Sequence, residues 1–339
     1  MDGPPPRRWT LADLELIRLE VAMDDRLGHL TATLTPEEAA AWEERARHRT
    51  PDQLPVPDCD LAPSESVPAM AEQILAELTD DERTLRALAG SRYQGTLLHV
   101  AENPATPLAV LLGLARHTCA TVVRAATGHP RLRADHLEDL YRTGGVQIRV
   151  GVLSRIDVPR HLVEKGASDA AHDVRCAAAG HPRLAPALLE ALADDPAQAV
   201  RLAAARNPAA SSGLLARLAA DPDRDVRQSV ALHPATDTTT ARVLAADPSS
   251  CVRLALARGP ALLCEPALAG LLSADEDEHV REELAANPAC PAEVLVRLGR
   301  RGQPVTVRRA VAANPACPAD VRTRLAADPS PYVRRAARC

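Results

Sequence analysis

Residues 200–227 read VRLAAARNPAASSGLLARLAADPDRDVR, and the fold is decided in this stretch. It opens on Val200-Arg201 and closes, 26 residues on, at Val226-Arg227. The first half ends at Asn207-Pro208. Proline has no amide hydrogen with which to continue a helix, and it drives the residue before it out of the helical region. The second half carries Leu214, Leu215 and Leu218, the apolar spacing of one face of a short helix, and stops at Asp221-Pro222. The unit is thus two short helical pieces and two tight corners. Neither piece reaches the roughly 12 residues that an isolated helix needs in water, so each must be held by its neighbours in a stack.

Working outward from Val200, equivalent positions fall at Thr96, Val122, Ile148, Val174, Val226, Val252, Val280, Val307 and Val333. Six successive steps are 26 residues, and the last three are 28, 27 and 26. This predicts an all-α solenoid of about ten units from residue 96 to 339, without a β-sheet. Composition agrees: 46% of the 339 residues are hydrophobic, only 1% are aromatic and there is no Phe. A core of Ala, Leu and Val suits thin stacked helices, whereas strands favour β-branched and aromatic residues.

The pattern V-R-x-x-x-A-x-N-P-x-x-P-x-x-L-L-x-x-L-A-x-D-P resembles the leucine-rich repeat variant family, and residues 307–334, VRRAVAANPACPADVRTRLAADPSPYVR, carry it closely. The resemblance implies alternating α and 3₁₀ helices wound into a right-handed superhelix. The strand signature of ordinary leucine-rich repeats, L-x-x-L-x-L-x-x-N, is absent. A member of the family carries an iron–sulfur cluster on a Cys-rich N-terminal segment. Here Cys59 is the sole Cys before Cys119, so no cofactor is expected, and a metal or redox role is the weakest of three functional readings.

Residues 1–95 follow another plan, with 19 acidic and 10 basic residues. Residues 1–50 read as a helical segment. One amphipathic helix runs from about Thr10 to Leu27; a second, opened by the capping box Thr35-Pro36-Glu37-Glu38, runs to about His48. Residues 51–67 read as a Pro-rich linker. Helices at about 68–78 and 80–89, the latter with Thr79 and Glu82 as a capping box, make 68–95 a degenerate repeat or N-terminal cap.

Arg follows the reference Val in Arg149, Arg175, Arg201, Arg227, Arg253, Arg281, Arg308 and Arg334; Asp precedes it by five positions in Asp169, Asp195, Asp221, Asp247, Asp275 and Asp328. Because the two recur together, they read as a structural ladder, Asp capping the helix start and Arg pairing along the stack. His129, His181 and His233 replace the corner Asn in alternate units; at roughly 9 Å per helix layer they stand about 18 Å apart, too far to share a metal. Cys290 and Cys317 share one position in adjacent units and read as small core or corner thiols.

Partner recognition is expected where the repeat leaves residues free. Two and six positions after the reference Val lie one turn apart on one face. Candidate partner-binding residues there are Leu98, Arg124, Val150, Leu202, Arg206, Gln228, Leu232, Leu254, Arg258, Glu282, Arg309 and Arg335. This arrangement points to a non-catalytic scaffold that binds a protein or peptide. The alternative is a nucleic-acid-binding solenoid using Arg206, Arg258, Arg309, Arg335 and the Arg-rich stretch 296–339. A net charge of −5 and the scarcity of aromatics for base stacking weigh against it. No GxSxG, P-loop, GxGxxG or HExxH pattern is present, so no catalytic residue is assigned. The N-terminus lacks the apolar run of a secretory signal, no stretch has membrane-spanning length, and eight scattered Cys show no CxxC pair; a cytoplasmic protein is expected.

Overall fold

The computed structural model describes residues 66–260 and 266–338. The expected helices within 1–50 lie outside these residues, as does all of the 51–67 linker except Ser66 and Val67, which begin the first helix. Among the described residues there are 21 α-helices and no strand. In chain order they are α1 (Ser66–Leu78), α2 (Glu82–Leu88), α3 (Gln94–Glu102), α4 (Leu108–Leu114), α5 (Ala120–Gly128), α6 (Ala134–Thr143) and α7 (Val146–Leu153). Then follow α8 (Arg160–Gly166), α9 (His172–Ala179), α10 (Pro186–Leu192), α11 (Gln198–Arg206), α12 (Ser212–Leu218), α13 (Arg224–Leu232) and α14 (Thr238–Leu244). The last are α15 (Ser250–Arg258), α16 (Pro266–Leu272), α17 (Glu278–Ala286), α18 (Ala292–Leu298), α19 (Val305–Ala313), α20 (Ala319–Leu325) and α21 (Pro331–Ala336).

The chain divides into two compact units between Arg155 and Ile156. In the first, α1 packs on α3, α3 on α5 and α5 on α7; in the second, odd-numbered helices from α9 to α21 pack each on the next. The even-numbered helices pack chiefly on the odd ones that flank them. The odd helices, mostly nine residues long from α3 onward, therefore form the tighter layer of each solenoid. The helix α2 begins 26 residues ahead of α4, and α1 packs on α3 as later long helices do on theirs.

Each repeat feature has a local cause. In the 200–227 unit, Val200, Ala204 and Ala205 face inward from α11, and Leu214, Leu215 and Leu218 from α12; none is more than 2% exposed. Ser211 caps α12 by accepting the Leu214 amide at 3.0 Å. Prolines open other short helices, at the N-cap (Pro107, Pro291, Pro318) or the first turn (Pro186), where a missing amide hydrogen costs nothing.

Two expectations need correction. The second piece of the unit is a seven-residue α-helix, as in α12, rather than the 3₁₀ helix implied by the resemblance. An α twist brings Leu214, Leu215 and Leu218 onto one buried face, whereas three residues per turn would eclipse Leu215 and Leu218 and carry Leu214 away. Tighter i→i−3 bonds instead appear in the corner behind it, from the Ala220 amide to Arg217 and the Asp221 amide to Leu218. Secondly, Thr79 and Glu82 do not form the box that opens α2. Asp81 is the N-cap, accepting the Thr84 amide at 2.8 Å, while Thr79 accepts the Asp81 amide and Glu82 pairs with Arg86.

Candidate functional site

The corners are tied by two ladders of buried polar side chains. In the first, Arg201 grips Asp221 with Nε and Nη2 at 2.7 and 3.1 Å while Nη1 donates to the carbonyls of Asp195 and Pro196. One guanidinium thus joins the corner before its own helix to the corner after the next. The same two-pronged pair forms between Arg175 and Asp195, Arg227 and Asp247, Arg253 and Asp275, and Arg308 and Asp328. In every one the Asp side chain is at most 6% exposed. The guanidinium bonds hold Asp195 and Asp328 below the usual carboxylate range, and raise their arginine partners.

The Asp of this ladder is not the helix cap. Asp221 accepts the Asp223 amide at 2.8 Å, bracing the corner, and Asp223 caps α13. Pro222 disfavours helical geometry at Asp221, and the chain bends at Pro222 and Asp223 before α13 begins, which places the cap downstream. At one rung the carboxylate is missing: Arg281 bonds Gln303 Oε1 at 3.1 Å, and Asp275 and Glu276 carbonyls take its Nη1. Arg149 donates to the Gly144 carbonyl, and Arg334 to those of Asp328 and Pro329.

The second ladder uses the residue before the corner Pro. Asn207 Nδ2 donates to the Ala179 and His181 carbonyls of the preceding corner, and its Oδ1 accepts the Ala209 amide. Asn103, Asn287 and Asn314 repeat this. The histidines stand in for Asn: His233 Nδ1 accepts the Ala235 amide and Nε2 donates to the Asn207 carbonyl at 3.1 Å, and His129 does the same with Arg131 and Asn103. Both are buried, and burial pushes His129 below the ordinary imidazole value, with Arg131 and Arg155 adding to the shift. Gly259 occupies the Asn position of another corner, where a Cβ would stand 2.7 Å from the Ala231 carbonyl oxygen. Arg155 holds the corner position itself and donates to the Thr127 and His129 carbonyls as Asn207 does in its own unit; Arg131 and Arg183, two residues past a corner His, also reach back to carbonyls of the preceding corner.

Cys290 and Cys317 are buried, and burial pushes the Cys290 thiol up to about 12 and raises Cys317. Among the described residues no three His, Cys, Asp or Glu side chains converge as a metal site requires, and no helix is long and apolar enough to cross a membrane.

The variable face runs along the long helices. Six positions past the reference residue, Glu102, Gly128, Ser154, Gly180, Arg206, Leu232, Arg258, Ala286 and Ala313 are all exposed. One turn earlier, Leu98, Val150, Leu202, Gln228, Leu254 and Glu282 are half-buried, while Arg124, Arg309 and Arg335 are exposed. The arginines of this face do not stand alike. Arg258 is taken by Glu283 through two bonds at 2.7 and 3.1 Å, and Arg309 by Glu282 at 3.2 Å. Arg206 donates only Nε, to the Ser229 hydroxyl at 3.1 Å. Beside it lies an open groove of about 300 Å³ lined by Arg206, Gln228, Ser229, Leu232, His233 and Pro234. Three of the sequence-derived candidates, Arg206, Gln228 and Leu232, thus meet around one groove, and Ser229, His233 and Pro234 join them. The short helices also expose apolar residues, Val243 of α14 and Leu271 of α16, each 59% accessible.

The leucine rich repeat variant family model matches residues 199–223 and 305–330. No curated protein matches the chain. Among solved structures, a leucine-rich repeat variant with a novel repetitive structural motif is 24% identical, the match covering 66% of this chain and 87% of that one, at a TM-score of 0.45. An engineered protein from the Northeast Structural Genomics Consortium is 15% identical over 80% of this chain and 94% of its own, at 0.32. Computationally designed armadillo repeat proteins for modular peptide recognition are 16% identical over 81% and 92%, at 0.15. The matched stretches coincide with α11–α12 and α19–α20, so these two units match the leucine-rich repeat variant repeat.

Proposed function

We propose that the chain is a non-catalytic scaffold that binds a protein partner along the exposed face of its long helices. The observation that carries this reading is the contrast between two sets of positions. The residues that recur are consumed in stacking and corner bonds, whereas the exposed positions of the long helices differ from unit to unit and include a groove with an exposed Leu232. A fixed frame carrying unlike side chains in register is how solenoids read a partner. Pairing of Arg258 and Arg309 with glutamates favours a protein over a nucleic acid, since those guanidinium groups are already neutralised.

The test separates the long helices from the short ones. Proteins captured by the full chain are compared with those captured by a long-helix-face variant, Gln228→Ala with Leu232→Asp, and by a short-helix variant, Val243→Asp with Leu271→Asp. The expected result is loss with the first variant and retention with the second. The reverse pattern, or binding to oligonucleotides at low salt in place of proteins, overturns the proposal.

A further inference from the structure

We infer that the groove between α11 and α13 takes an extended peptide segment presenting an apolar side chain and, about three residues away, a carboxylate. This rests on the scaffold reading above and names the chemistry of its partner. Three observations lead there. The first is volume: about 300 Å³ lies at the lower end of small-molecule sites, enough for one or two side chains and short of a large cofactor. The second is the state of Arg206. It is exposed, and its single hydrogen bond, from Nε to Ser229, fixes the guanidinium plane while leaving both terminal nitrogens to a ligand. Ser229 is itself held, donating to the Asp225 carbonyl at 2.9 Å. The fork is therefore aimed before anything binds, and a forked guanidinium matches a carboxylate through two parallel bonds. Its counterparts two and four repeats on, Arg258 and the Arg309 of the neighbouring row, already hold glutamates. Unlike those two, Arg206 has no carboxylate from this chain, and the one that fits it has to come from outside.

The third observation is Leu232, 43% exposed on a helix whose Val226 and Val230 are fully buried. It stands one repeat from Arg206, with exposed Pro234 beside it. Helix layers stack at roughly 9 Å, and an extended peptide advances about 3.3 Å per residue. An apolar side chain over Leu232 and Pro234 and a carboxylate at Arg206 are therefore about three residues apart on one peptide. Between them Gln228 offers an amide to the peptide backbone.

A random peptide library, displayed with blocked C-termini, is selected against the full chain. Enriched peptides are synthesised and measured by fluorescence anisotropy against wild type, Arg206→Gln, Arg206→Glu and Leu232→Asp. Enrichment of Asp or Glu three residues from Leu, Met or Ile is expected, with affinity falling at least tenfold in Arg206→Gln. Lys in place of the acid should recover binding to Arg206→Glu. All substituted side chains are exposed, so folding is checked by helical signal alone. Peptides that enrich but bind every variant equally overturn this inference and leave the broader scaffold reading standing. A selection that enriches nothing overturns both.

Discussion

At the scale of the residue, corner histidines and asparagines look interchangeable in sequence but differ in what they do with a proton. His129 accepts a backbone amide at Nδ1, so the neutral ring with its hydrogen on Nε2 is the form that fits. Its folded-state value lies below 6.5, so the unfolded chain binds the proton more readily. The contribution of the neutral ring is complete above pH 6.5 and is lost as pH falls below that value. Urea midpoints should therefore drop between pH 7.5 and 5.5, and His129→Asn should flatten that part of the profile. An unchanged slope in the variant would place the proton uptake elsewhere. Asp195 and Asp328, also lowered, act in a separate window, losing their contribution only below pH 3.8. The sequence showed that Asn and His share a place; which carbonyls they serve was hidden, because those lie 24 to 30 residues away.

At the scale of the element, stability of the long helices leans on the arginine ladder. Arg227 and Asp247 are 13% and 5% exposed, bonded at 2.6 and 3.0 Å, and both make further backbone bonds. Removing one partner strands a desolvated charge, so Asp247→Ala should cost about 3–5 kcal/mol in a denaturant melt. Replacing both, Arg227→Met with Asp247→Leu, should recover much of that loss, because the desolvation penalty leaves with the charges. A single variant within about 0.5 kcal/mol of wild type would mean that the ladder is ornamental to the stack. The ladder was readable in part. The recurrence of Arg and Asp announced a pairing, and the two Pro-marked corners announced two helices per unit. The cap was misplaced by two residues because Asp221 and Asp223 are both good caps in isolation. The pairing of Arg258 with Glu283 and of Arg309 with Glu282 was not readable, since neither glutamate belongs to the repeated pattern. The groove at Leu232 was foreseen as residues and not as a shape, which depends on how α11 and α13 meet.

At the scale of the whole molecule, each of the two compact units closes its own core through contacts between successive repeats. Such arrays gain stability from nearest neighbours and need no distant part of the chain. Residues 156–339 expressed alone should keep the helical signal per residue seen for those repeats and unfold in one cooperative transition. A fragment that is unfolded at 25 °C, or that melts over a broad range without a baseline, would show that its stability is borrowed from residues before 156. Fold class was the most legible property at this scale: a 26-residue period with Pro at both corners leaves a helical stack as the economical solution.

The Asn ladder has a consequence for how such a chain changes over generations. Asn207 satisfies carbonyls of the corner before it, and its own carbonyl is in turn satisfied by His233 in the corner after it. Donor and acceptor are thus handed on from one unit to the next in a fixed direction. Among Asn and His corners, a gene duplication or deletion of one whole repeat leaves the handovers intact, whereas Gly259 accepts from Asn287 but has no side chain with which to donate. A change of half a repeat breaks the chain of handovers at once. Length is therefore free to vary in whole steps, and a lineage can add or discard a binding position without redesigning the frame that carries it.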